Sequence, residues 1–340
     1  LSSGQAAWTR GLDIPWLINC ALITAIAAFL RFFDLALKPF HHDEGVNGFF
    51  LNTLVKDGVY KYDPANYHGP TLYYISLFFS KVFGLNTVSV RASVAIFGVL
   101  MVVLAFYLRP FIGKFGALAA GLFLALSPGM VFISRYFIHE IFFVFLALSL
   151  VLSVLYFIRN ERAGPFATAW MVILLMVCFV PSGLMIAESF GVENSGAIWA
   201  IRILVVAAEA ALIFFVIRML LAWNDGRPIY LLLASASTAL MFATKETAFI
   251  TLGTMLIALP CIWIWRKLYV GAKVSKEPAE NDDSITWANF RSAAGRGNDL
   301  LLLVAASAGV FIFVNVLFFS SYFTYPEGPR TTRKAVFGGI

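Results

Sequence analysis

The chain has 340 residues, 60% of them hydrophobic and only 13% charged, with a formal charge of +6. Its mean hydropathy of +0.83 excludes an ordinary soluble domain, which is about 45–50% apolar and about 25% charged, and predicts an all-α polytopic membrane protein. The modest charge reads as inward-facing Lys and Arg, no Arg-rich segment or finger spacing points to nucleic acid, and Cys20, Cys178 and Cys261 set no disulfide or metal spacing.

A membrane helix needs about 20 mostly apolar residues. Such runs fall at 14–33, 88–108, 115–133, 138–158, 165–187, 197–217, 229–243, 249–265 and 299–320, which predicts about nine spans. The first is too long for a signal-peptide core and has no cleavage site behind it, so it reads as a retained helix. Residues 71–83 are apolar but short. They read as a juxtamembrane helix lying along the membrane, with Tyr73 and Tyr74 at headgroup level.

Loop charge sets the expected orientation. With the N-terminus cytoplasmic, the inner segments carry Arg10; Arg109 and Lys114; Arg159 and Arg162; Arg218 and Arg227; and a basic set from Arg266 to Arg296. The short outer loops hold Arg135 in one case and only Glu188 and Glu193 in the other, as the positive-inside rule asks. The expected organisation is one transmembrane domain over 1–320. Its first outer loop is 34–87 and its flexible cytoplasmic loop is 266–298. A basic stub, 321–340 (Arg330, Arg333, Lys334), reads as the start of a longer extracytoplasmic segment. The expected home is an integral position in a prokaryotic plasma membrane.

On this topology the four histidines, His41, His42, His68 and His139, all lie outside. So do Asp43, Glu44, Asp57, Asp63, Glu140, Lys245 and Glu246. Charge near membrane depth is costly unless it lines a cavity or meets a partner, so these groups form a candidate site. Asp43 and Glu44 are adjacent, and adjacent side chains on a helix diverge by about 100°. They suit separate roles, one a base and the other a positioner, or else a pair capping a helix, for which Asp is well suited. In Tyr67-His68-Gly69-Pro70, Pro70 can open a helix at its first turn. In Ser134-Arg135-Tyr136-Phe137-Ile138-His139-Glu140, helical spacing would put Arg135 with His139 and Tyr136 with Glu140. Thr244-Lys245-Glu246 interrupts the membrane between two apolar runs. Arg202 and Glu209 lie in the sixth run and read as interhelical pairing.

In order, the chain shows an Asp-Glu pair in the first outer loop, His68 and Pro70 before a juxtamembrane helix, and Arg91 in Val90-Arg91-Ala92-Ser93. An Arg and an acidic residue then follow the third run, and Thr244-Lys245 stands at a late outer break. This set resembles the GT-C superfamily of integral membrane glycosyltransferases. Within it, the chain is similar to the protein O-mannosyltransferase and aminoarabinose-transferase branch, and closest in wording to the prokaryotic flippase-activity-associated group.

The resemblance implies a polyprenyl-phosphate-linked sugar as donor and a protein or glycolipid acceptor. It implies Asp43 as catalytic base and Glu44 as its acidic partner. His68, Arg91, Arg135, His139, Glu140, Lys245 and Glu246 would face substrate, with Lys245 at the donor phosphate. Gly69 departs from the His-Pro-Pro element, and Glu140 stands where Asp is common. Members differ in metal use, so a divalent metal on His41, His42, Asp43 or Glu140 stays open. A non-catalytic subunit of a membrane complex and a lipid-carrier flippase are the other readings. A flippase would show paired broken helices in two repeats, and the sequence has one such break, at 243–249.

Overall fold

The computed structural model describes residues 13–63, 68–189, 195–265, 267–268 and 287–329. Arg10, Tyr67, Glu193, residues 269–286 of the expected cytoplasmic loop and the basic stub from Arg330 lie outside the described residues.

Apolar runs with few Gly or Pro interruptions become helices wherever the sequence has them. In chain order these are α1 (Ile14–Phe32), α2 (His42–Asp57), α3 (Thr71–Phe83), α4 (Thr87–Phe106), α5 (Arg109–Leu126), α6 (Pro128–Ser134) and α7 (Glu140–Ile158). There follow α8 (Pro165–Ser189), α9 (Ser195–Ala222), α10 (Pro228–Phe242), α11 (Ala248–Trp265), α12 (Trp287–Ala294) and α13 (Asn298–Phe319). No strand is present among the described residues, only one isolated bridge between His68 and Lys245. Among the described residues seven helices are long and apolar enough to cross a membrane: α1, α4, α5, α7, α9 with its continuation to Gly226, α11 and α13. The chain is a polytopic all-α membrane protein. The other two of the nine expected segments are α8 and the 15-residue α10.

Two expectations need correction. The run 115–133 is not one helix: it breaks at Ser127, which takes an extended ψ of 119° ahead of Pro128. Proline clashes with a helical residue before it and cannot donate to the preceding turn. Tyr73 and Tyr74 do not face lipid headgroups, since both side chains are fully buried within the protein. Tyr73 packs on Phe50 and Tyr60, and Tyr74 on Phe318 and Tyr322, with its hydroxyl on Ser321 Oγ. The 13 residues of α3 reach about 20 Å at 1.5 Å per residue, short of the roughly 30 Å hydrocarbon core.

The chain forms two compact units. The first joins residues up to Gly48 with Phe79–Phe145, and the second joins Phe49–Phe78 with everything from Leu146. In the first unit α1, α4, α5 and α6 pack around Ile23, Ala27, Val102, Phe106 and Ala125. Close approach rests on small residues, as it does between membrane helices generally. A side chain at Gly98 would meet Ser134 and Arg31, and one at Gly121 would meet the Phe106 ring. Arg31 is fully buried here. It donates to Ser134 Oγ (3.2 Å) and to the carbonyls of Ala27 (3.3 Å), Ala125 (3.2 Å) and Leu124 (2.8 Å). The Leu124 and Ala125 carbonyls end α5, and Arg31 itself sits in the last turn of α1, where helix dipoles favour a cation. At the far end of α1, the N-cap Asp13 meets Arg109 (3.1 Å) and Lys114.

In the second unit α10 packs on α13 and α8 on α9. Ser237 is shared by Ser149 (3.1 Å) and the Trp170 indole (3.3 Å), and Ser235 donates to the Ser307 carbonyl (2.6 Å). Most of α9 and α11 is exposed and apolar, with Phe214, Phe215, Leu256, Ile257 and Trp263 outward, as helices facing lipid require.

Candidate active site

Most of the candidate residues in the first unit gather where the chain leaves α1 and enters α2. Glu44 is fully buried and accepts four hydrogen bonds. Arg91 Nε gives 2.7 Å to Oε1 and its Nη2 gives 2.7 Å to Oε2, a bidentate pair. The Phe137 amide gives 3.0 Å to Oε1 and the His41 amide 3.1 Å to Oε2. The last contact makes Glu44 the third residue of α2 reaching back to the N–H of the residue before the helix, half of a capping box. Of the adjacent carboxylates, Glu44 therefore caps the helix, not Asp43. Burial works against its charge, but the Arg91 guanidinium, the two amides and the Arg91 charge outweigh it and hold the carboxyl below its ordinary value.

Arg91 is spent in the same clamp. Beyond Glu44 it donates to the carbonyls of Leu35 (2.7 Å), Lys38 (2.8 Å) and Pro39 (3.2 Å), and its guanidinium lies 5.3 Å from the Phe40 ring centre. The resemblance would put Arg91 on substrate; in the structure its guanidinium is buried and its donors meet Glu44 and these three carbonyls. Because α4 thereby binds the strand of chain leaving α1, both ends of 34–87 sit at one end of the first unit.

Asn47, one helical turn beyond Glu44, donates to the Phe137 carbonyl (2.9 Å). One face of α2 thus takes both polar groups of the Phe137 peptide. This explains a further difference from expectation. Residues 135–139 form a turn between α6 and α7, not a helix, so Arg135 with His139 and Tyr136 with Glu140 do not share a helical face. His139 is buried and Glu140 opens α7, partly exposed. Arg135 turns back to cap α1, donating to the Leu30 (2.8 Å) and Asp34 (3.0 Å) carbonyls.

Asp43 is the contrast. It is exposed in the first turn of α2 and makes no hydrogen bond or ion pair with the described residues. His41 and His42 are exposed beside it. Tyr136 stands over this turn with its ring 5.5 Å from His41 and stacked at 5.5 Å on Phe132. Partial desolvation, then the charges of Asp43 and Glu44, raise its hydroxyl pKa; Glu140 adds to this and Arg91 opposes it. Asp43, Glu44 and Glu140 thus bear on one phenol, a role for Tyr136 that nothing in its spacing announced. Asn47 was equally unannounced, and its one readable signal is its i, i+3 spacing from Glu44. Among the described residues no three His, Cys, Asp or Glu side chains are placed to hold a metal ion. His41, His42, Asp43 and Glu140 do not form such a set, since three of them are consecutive and splay around one turn.

The second unit holds the other group. His68 pairs with Lys245 across the isolated bridge. The Gly69 amide donates to the Thr244 carbonyl (3.1 Å), and the Thr71 amide (3.2 Å) and hydroxyl (2.7 Å) donate to the Ala243 carbonyl. A Cβ at Gly69 would lie 2.0 Å from the Ala243 oxygen. Proline there would also lack the N–H used, so the departure from His-Pro-Pro has a backbone cause. The break 243–247 ends α10 and precedes α11, and His68 Nδ1 lies 3.8 Å from Glu246 Oε2, an ion pair when His68 is protonated. Tyr62 lies nearby on Phe319 (4.9 Å). Burial, then the charges of Glu246 and Asp63, raise its hydroxyl pKa. The expected His68, Lys245 and Glu246 therefore do come together.

Residues 65–187 match the family model described as dolichyl-phosphate-mannose-protein mannosyltransferase, a GT-C family domain. The match spans about a third of the chain. It includes His68, Arg91, Arg135, His139 and Glu140, and it stops short of Asp43 and Lys245 on either side. It bears out the GT-C resemblance at superfamily level and supports a membrane glycosyltransferase. Neither the curated proteins nor the solved structures gave a match.

Proposed function

We propose that the protein moves a sugar from a polyprenyl-phosphate donor to an extracytoplasmic protein or glycolipid in one inverting displacement. Asp43 would be the base. Its carboxylate takes the proton of the acceptor hydroxyl as that oxygen bonds to the anomeric carbon. The bond from that carbon to the phosphate oxygen breaks, and its electron pair leaves with the polyprenyl phosphate. Lys245 would offset the charge growing on that oxygen. Glu44 and Arg91 hold the α2 turn and do not touch the reacting atoms. On this proposal the N-terminus is cytoplasmic, 34–87 is extracytoplasmic, and the setting is a prokaryotic plasma membrane.

The observation that carries the proposal is the asymmetry of neighbouring carboxylates. Glu44 is saturated by four donors, while Asp43 is exposed with its oxygens open. The test is incubation of purified protein with labelled polyprenyl-phosphate sugars, following release of the carrier. Release by the native chain and not by Asp43→Asn is expected. Equal release by both would move a non-catalytic subunit of a larger complex ahead. Carrier movement across vesicles without release would favour a flippase.

A further inference from the structure

Away from the carboxylates, the first unit has a groove of about 470 Å³ between the ends of α1 and α5 and the short α6. Its walls are apolar, with Phe29, Phe33, Leu126, Val131 and Phe132 among them, and Arg135 stands on its rim. Phe29, Phe33, Leu126 and Phe132 are largely exposed, so the groove opens on the face that a membrane protein turns to lipid.

Arg135 has five N–H donors. It spends one on the Leu30 carbonyl and one on the Asp34 carbonyl, and no carboxylate reaches it among the described residues. A guanidinium with open donors at the end of a membrane helix sits where headgroups lie, and its planar fork matches phosphate. Beside it, the groove offers an apolar slot of the kind an acyl chain fills. We infer that this groove docks one anionic glycerophospholipid of the surrounding leaflet, its phosphate on Arg135 and one acyl chain against Phe29, Val131 and Phe132.

Such a lipid would brace α6, and with it the 135–139 turn whose Phe137 peptide Glu44 and Asn47 hold. The site goes beyond the proposed transfer reaction. It uses neither Asp43 nor Lys245, and lipid retention can be read without turnover.

The test is native mass spectrometry of protein delipidated in detergent and titrated with phosphatidylglycerol, phosphatidylcholine or polyprenyl phosphate. The native chain should retain one phosphatidylglycerol more tightly than phosphatidylcholine. Arg135→Gln should weaken that retention roughly fivefold, the worth of one basic residue at a charged lipid surface. Because Arg135 also caps α1, a second variant separates folding from binding: Val131→Trp fills the slot and leaves Arg135 and its carbonyl bonds in place. It should lose the same lipid. Equal retention by the native chain and both variants would overturn the inference. So would tighter retention of polyprenyl phosphate through these same residues, which would assign the groove to the carrier.

Discussion

The Glu44 clamp in the first unit and the His68–Lys245 junction in the second hold their candidate residues by opposite means. In the clamp, side chains hold backbone: a buried ion pair, two amides and three carbonyls fix where α2 begins and how 135–139 turns. In the junction, backbone holds side chains: backbone hydrogen bonds between 69–71 and 243–244 set where His68 and Lys245 emerge. The first can be broken by deleting a charge, the second by adding a Cβ at Gly69. Exposed groups next to each can then change without loss of fold.

The largest effects should come from the clamp and its neighbour. Glu44→Ala leaves the Arg91 guanidinium buried without its anion. It should cost about 3–5 kcal/mol of stability, read as a lower unfolding midpoint in detergent. Asp43→Asn, one residue away, should leave that midpoint nearly unchanged and lower single-turnover transfer by about 10²–10⁴-fold. Similar stability losses for the two would erase the division of roles between them.

Gly69→Ala comes next. Its Cβ would meet the Ala243 carbonyl, so the junction must open, at about 1–3 kcal/mol of overpacking strain. Thermal unfolding would read this directly, and a midpoint like the native one would show the contact to be looser than the structure has it. Lys245→Ala leaves the junction's backbone bonds intact. On the proposed mechanism it should weaken donor binding as well as transfer, each by roughly 10–100-fold, the worth of one charge-assisted hydrogen bond. Binding of the lipid donor is measured apart from turnover, and loss of turnover alone would remove Lys245 from the ground-state phosphate.

The smallest effect is that of pH. The folded state holds the Glu44 carboxyl below its ordinary 4.5. The unfolded chain therefore binds its proton first as pH falls, and the stability that Glu44 contributes is present above about 4.5 and is lost below it. The unfolding midpoint should decline on acidification through that range. The decline should be shallower in Glu44→Gln, which has no proton to gain.

The helices were legible because an apolar run of membrane length has few other structures open to it: unsatisfied backbone groups are too costly in hydrocarbon. Pro128 shows the limit of that reasoning. Its break was written in the sequence, yet the hydropathy of 115–133 spoke louder. The candidate site was legible as a set of residue types but not as a set of roles. Asp43 and Glu44 look alike in sequence, and Arg91 reads as well for substrate as for a clamp. Tyr73 and Tyr74 look like headgroup anchors until Phe50 and Tyr60 are seen to cover the first and 318–322 the second.

The sequence by itself determined that this chain is helical and membrane-bound, where most of its helices run, and which polar residues had to be accounted for. Only the tertiary structure decided that Glu44 is sealed and Asp43 open. It also decided that Gly69 is a point of backbone contact. A side chain's solvent exposure and its partners depend on residues far along the chain. Arg91 lies 47 positions from Glu44, and the Phe137 amide 93. In a chain with so few charges, which of two adjacent carboxylates meets such a partner depends on a rotation of about 100° around the helix, and only the packed fold sets that rotation.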